Sequence, residues 1–219
     1  MRKIKTLQLI LPWKTEVISS AVIFLSLFLV YLFPVADIFQ NFNRSLFFMA
    51  ILPFLYIKFV LKKNLSDYGF NLDNKKTGFF WAAAMFAVSF GTVLVLIQFA
   101  GFDKKYTIPS YIADNFWIFL VYELLLINFQ IFINEFFFRG FLLFSFMEKI
   151  GYWSIAIQAL VYILFAASAI GFSWNITPFI IMSVTGGVVA YRSRSFLYSY
   201  FMSLFFMIIL DAYIIHLYK

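Results

Sequence analysis

The sequence predicts an all-α integral membrane protein, a bundle of about seven transmembrane helices with the N-terminus inside and the C-terminus outside. Three observations predict it. Of 219 residues, 64% are hydrophobic and 12% charged, against about 45–50% and about 25% in soluble domains. The apolar residues fall in runs of bilayer length, since one crossing takes ~20 of them. Lys and Arg gather in alternate connections between those runs. A chain this apolar cannot bury its hydrocarbon within itself and keep a watery surface. A soluble enzyme, a disordered chain and a single-pass receptor with a large ectodomain are excluded, and the chain reads as a single membrane domain over residues 1–219.

Each run justifies one element. The 20 uncharged residues between Glu16 and Asp37 make the first span. Its apolar core is too long for a cleaved signal peptide, and no small-residue cleavage site follows it. Residues 45–57 are uncharged, and Lys58 can snorkel from a helix ending near Leu61. Pro53 marks a kink there, and a full crossing by this second helix is left open. The polar stretch 61–78 reads as a connection lying on the membrane surface. Between Lys76 and Asp103 the 26 uncharged residues make a tilted third span. The fourth runs from Phe116 to Met147 and carries Glu123, Glu135 and Arg139 within it. The 42 uncharged residues 150–191 make two spans, divided near Gly171, Asn175 and Pro178, the strongest breakers available. The seventh runs from Ser195 to Tyr218.

The charges orient the bundle. Arg2, Lys3, Lys5, Lys14, Lys58, Lys62, Lys63, Lys75, Lys76, Lys149, Arg192 and Arg194 fall on one side, and Arg44, Lys104, Lys105 and Lys219 on the other. Positive residues favour the cytoplasmic side, which sets the N-terminus inside. The net charge of +7 and pI of 9.5 therefore speak of membrane orientation rather than a nucleic-acid partner. The chain has no cysteine, which excludes disulfides, thiol catalysis and thiolate metal sites.

Chemistry, if any, concentrates in the fourth helix, because ionisable groups inside a span are expensive. At about 100° per residue, Glu123, Gln130 and Asn134 fall within an arc of about 40°. Such a stripe faces the bundle interior or a watery cavity rather than lipid, either as interhelical hydrogen-bond glue or as a binding or catalytic surface. Glu135 and Arg139, spaced i,i+4 with the acid first, form a helical ion pair on a second face. Asn128 shares that face. With two polar faces, the helix is wrapped by protein.

The run Asn134-Glu135-Phe136-Phe137-Phe138-Arg139-Gly140 resembles the Glu-Glu-x-x-x-Arg-Gly signature of the CPBP (CAAX-processing and bacteriocin-protecting, or Abi) intramembrane proteases. Residues 156–172 resemble the helix with the family's Phe-x-x-x-His motif, with Phe165 at its Phe. Residues 191–197 resemble the opening of the later helix that carries His-x-x-x-Asn. The resemblance covers 116–211, a CPBP-like core. It implies an endopeptidase in which the first Glu and first His activate water while the second His and the Asn stabilise the oxyanion. Here those positions correspond to Asn134, Ala169, Ser203 and Met207, so no catalytic position is intact. Glu135, Arg139 and Phe165 are the retained motif, and in the family they look architectural.

The lost groups are not replaced elsewhere. The one histidine, His216, lies near the C-terminus. An amide has no useful basicity, alanine no polar atom, and methionine little hydrogen-bonding power. General base catalysis is worth ~10²–10⁴-fold and an oxyanion donor ~10²–10³-fold. Glu123 and Asn134 lie ~16 Å apart along the axis, Ser168 and Ser203 are expected to lack a nearby base, and Asp211 is expected near the outer surface. Neither a metal nor a cofactor is expected.

The reading that follows is a multi-pass protein of a cell membrane, of prokaryotic cytoplasmic type. It is a pseudoprotease that binds a transmembrane segment or serves a membrane complex, with lipids and a membrane protein as partners. An active CPBP-type endopeptidase with a rearranged site, or a small transporter-like accessory using Glu123, are the alternatives.

Overall fold

The computed structural model describes residues 13–218, and for Ile38, Ala169, Ile170 and Tyr218 only the backbone. Arg2, Lys3, Lys5 and Lys219, part of the charge argument, lie outside the described residues. The described chain is helical throughout and contains no strand. Six helices are long and apolar enough to cross a membrane: α1 (Lys14–Leu32), α2 (Phe39–Val60), α3 (Lys75–Ala100), α4 (Phe116–Ile150), α6 (Trp174–Ser193) and α7 (Phe196–Leu217). Between α4 and α6 lies the shorter apolar helix α5 (Trp153–Ile170). The charge-free runs thus become helices in the expected order, and the break in the long run falls at Gly171–Ser173 with a 3-10 turn at Trp174–Ile176.

Helix α2 is continuous through Pro53, and the reason is local. Proline supplies no N–H and crowds the carbonyl of the preceding turn. The helix widens beside it into π winding at Leu46–Ile51 and again at Tyr56–Val60, with the Leu52 amide bonding the carbonyl of Phe47 five residues back. Wider turns of this kind absorb a missing bond without ending a helix. At the other end, the Asp37 carboxylate caps the helix by accepting from the Gln40 amide at 2.7 Å.

The connection 61–74 packs against the bundle. Its turn Leu65–Tyr68 is closed by the Asn64/Asp67 capping box and docks inward. Tyr68 is buried, and burial pushes its phenol up to about 12. Gly69 turns the chain at φ +80°, and a Cβ there would meet the Phe144 ring at 2.8 Å. Its carbonyl accepts from the Phe196 amide at 3.1 Å. This link therefore closes over the end of α4 and the start of α7.

Of the apolar clusters among the described residues, two are large. One joins α1, α2 and α4 through residues such as Ile23, Met49, Phe137 and Phe141. The other joins α3, α4, α6 and α7 through Val93, Ile131, Met182, Phe206 and Leu210. Helix α6 packs against α3, α5 and α7. A polar seam, carried by α4 and α7, runs between these layers.

A polar seam between α4 and α7

The seam begins with a regularity in α7. Ser195, Ser199, Ser203, Met207 and Asp211 recur every fourth residue, and all five are buried. Side chains at i,i+4 stack on one helix face, so this row is the interior face of α7. It meets α4 in antiparallel order. Ser199 and Ser203 meet Glu135, Tyr200 meets Asn128, and Asp211 meets Glu123.

At the centre stands Glu135. One carboxylate oxygen accepts from Ser199 Oγ at 2.6 Å, and the other accepts from Ser203 Oγ at 2.8 Å. Arg139 Nη1 lies 3.4 Å from the latter oxygen. Arg139 itself is wholly buried. Its Nη2 donates to the Met182 carbonyl at 2.8 Å, and its guanidinium lies 4.4 Å from the centre of the Tyr162 ring. One charged pair thereby ties α4 to α5, α6 and α7. Taking such a pair out of water is costly, and only close partners offset that cost.

Two glycines make the approach possible. A Cβ on Gly186 would lie 2.7 Å from Ser199 Oγ, 3.4 Å from Arg139 Nε and 3.5 Å from a Glu135 oxygen. A Cβ on Gly187 would lie 2.3 Å from Gln158 Nε2, which donates to the Ser183 carbonyl at 2.6 Å. Small residues of this kind let membrane helices approach closely.

The local winding of α4 sets which way each group points. It is π over Tyr122–Ile127 and over Glu135–Leu142. The amides of Asn128 and Leu143 each bond the carbonyl five residues back. The uniform 100° count therefore does not hold through it. Glu123 and Asn134 are buried and Gln130 half-buried, so the stripe does face inward. Gln130 Nε2 donates to Asn134 Oδ1 at 3.3 Å, but Glu123 looks to Asp211 instead. Glu135 and Arg139 face inward as well, so both polar faces are interior.

Of the positions that the resemblance assigns to catalysis, Ser203 and Met207 belong to the α7 row of this seam, and Asn134 lies on α4. Asn134 and Met207 are buried, and Ser203 is wholly buried against Glu135. Phe165 packs on Phe138 at 5.7 Å between ring centres. Ala169 lies in the backbone of α5, and its side chain falls outside the described residues. One expectation is corrected. Ser203 does have a carboxylate beside it, because α7 brings it to Glu135 across 68 positions of sequence. Asp211 is buried, with 4% of its surface exposed, and accepts from Tyr106 on the connection between α3 and α4. Sequence reasoning also missed Ser199, Gly186, Tyr162 and Gln158. The four-residue Ser195–Asp211 row was the one signal that pointed to Ser199. Among the described residues no group of three or more His, Cys, Asp or Glu side chains gathers to hold a metal.

Residues 113–209 match the family model described as type II CAAX prenyl endopeptidase Rce1-like. No curated protein and no solved structure matches the chain.

Proposed function

We propose that this chain, whose residues 113–209 match the Rce1-like CAAX prenyl endopeptidase model, is a catalytically silent relative of the CPBP proteases that holds a transmembrane partner. One observation carries this reading: the retained carboxylate, Glu135, is occupied on both oxygens by Ser199 and Ser203 and faces Arg139 in a site closed to solvent. A general base must reach a water or a hydroxyl that is itself placed against a substrate, and Glu135, Ser199 and Ser203 are all buried away from solvent. Glu135 here serves as the hub of four helices. The positions that the resemblance assigns to water activation and the oxyanion hold Asn134 on α4, Ser203 and Met207 on the α7 row, and Ala169. None supplies a base, and Asn134 is already engaged with Gln130.

The apolar cleft between α3 and α7 supports the binding role. It measures about 320 Å³ and is lined by Phe79, Phe86, Phe201, Met202 and Phe205. Membrane helices associate through such close apolar packing. In our reading the bundle crosses a prokaryotic cytoplasmic membrane seven times, α5 included, with the N-terminus inside.

A second reading is favoured by the family match itself: an active endopeptidase that employs Ser203 and Glu135. The purified full-length protein, incubated with farnesylated CAAX peptides, separates the two. No cleavage above a blank, together with a membrane protein that co-purifies and is lost when Phe201 and Phe205 are replaced by Ser, supports the silent form. Cleavage abolished by Glu135→Ala in a folded variant overturns it.

A further inference from the structure

A second polar group sits at the far end of the α4–α7 seam, away from Glu135. Glu123 is 1% exposed and Asp211 4%. The two carboxyls lie within hydrogen-bonding reach of one another. Neither Glu123 oxygen finds a donor among the described protein groups. No Lys, Arg or His among the described residues forms an ion pair with either carboxyl. The pair lies beside an apolar core, to which Leu210 and Ile214, flanking Asp211 on α7, and Tyr106 belong.

Two buried carboxyls can hydrogen-bond only when one of them carries a proton. With no cation beside them, two charges at that separation in an apolar interior repel strongly. The orphaned oxygens of Glu123 therefore point to a hydrogen atom.

A route to solvent is also present. Tyr106 donates its hydroxyl to Asp211 at 2.8 Å and lines a half-polar surface cleft of about 330 Å³ with Lys104, Thr107, Ser110 and Asp114. Burial, and then the charge of Asp211, hold the Tyr106 phenol well above its usual range, so it remains a donor. Thr107 on the same loop is tied to Asn175 by bonds of 2.9 and 3.0 Å. The loop between α3 and α4 is thus latched at two adjacent points. Besides these, Tyr122 on α4 faces the pair, and Tyr111 on the one-turn helix Ser110–Ala113 lies near Tyr122.

We propose that Glu123 and Asp211 form a one-proton site, supplied through the cleft behind Tyr106, in which the shared proton fastens α4 to α7. The role is independent of peptidase activity, since the pair lies at the other end of the seam from Glu135. It makes the bundle sensitive to proton activity on the side of the α3–α4 loop.

Infrared difference spectroscopy on the full-length protein in lipid nanodiscs tests it. The wild type at neutral pH is expected to show a protonated-carboxyl stretch that shifts in deuterium oxide and is lost in alkaline buffer. Glu123→Gln, whose amide can still donate to Asp211, should lose that band yet keep its thermal stability. Its stability should also stop falling as the pH is raised. If Glu123→Gln does not fold, the double variant Glu123→Gln/Asp211→Asn gives the same comparison. A wild type with ionised carboxylate bands alone overturns the proposal, as does alkaline protein stabilised by sodium with no protonated band, which marks a cation site.

Discussion

At the scale of single residues, the Glu135 hub makes a sharp expectation. Glu135→Ala leaves the Arg139 guanidinium and two serine hydroxyls buried without their acceptor. Breaking a buried pair by removing one partner costs about 3–5 kcal/mol. The double variant Glu135→Met/Arg139→Met removes both charges and fills the volume, so it should unfold at a higher temperature than Glu135→Ala. Ser203→Ala should cost less, about 1–3 kcal/mol. Thermal unfolding in detergent, followed by circular dichroism, ranks the three. Should the double variant prove weaker than Glu135→Ala, the charge pair is not what joins these helices. Glu135 and Arg139 were legible in the sequence because ionisable groups within an apolar run demand a partner. Ser199 and Ser203 were not, because a serine in such a run commonly bonds its own helix. Ser89, Thr92 and Ser145 do that here, each donating to the carbonyl four residues back.

At the scale of elements, the positions of the helices could be read from the charge-free runs, and their internal winding could not. Nothing in residues 122–127 or 135–142 announces a π turn. Each such turn rotates every residue beyond it, which is why Glu123 faces Asp211 rather than Gln130. The close packing of α5 on α6 was equally hidden, although Gly186 and Gly187 side by side in mid-helix were its signal. Packing there is tested by a double-mutant cycle. Gly187→Ala pushes a Cβ onto Gln158 Nε2 and displaces it from the Ser183 carbonyl. It should destabilise by about 1–3 kcal/mol, the range for forcing extra carbon into a packed core. In a Gln158→Ala background the added methyl meets a smaller neighbour, and the further loss from Gly187→Ala should shrink by at least half. Equal losses in both backgrounds, measured by reversible unfolding in detergent, would mean that the two side chains do not meet.

At the scale of the whole molecule, a helical membrane bundle and a segment resembling the CPBP proteases were legible in the sequence. The pairing of α4 with α7 that builds the site was beyond it, because Glu135 and Ser203 lie far apart in the chain and no local pattern encodes their contact. Orientation is the property on which both proposals draw. A one-proton site that opens behind Tyr106 senses the exterior only if the α3–α4 loop is outside. The charge bias favours the same arrangement, with Lys62, Lys63, Lys75 and Lys76 inside and Lys104 and Lys105 outside. Because the chain contains no cysteine, single engineered cysteines report the answer without background. In intact cells a membrane-impermeant maleimide should label Lys104→Cys and leave Lys62→Cys and Lys76→Cys unlabelled until the membrane is opened. Lys62 has a left-handed backbone at φ 54°, a strained setting for any residue other than glycine. Lys76→Cys, on the first turn of α3, is therefore the safer inside reporter. Labelling of Lys76→Cys from outside would invert the bundle. The cleft behind Tyr106 would then draw its proton from the cytoplasm, and the pair would follow the cell's own pH rather than that of its surroundings.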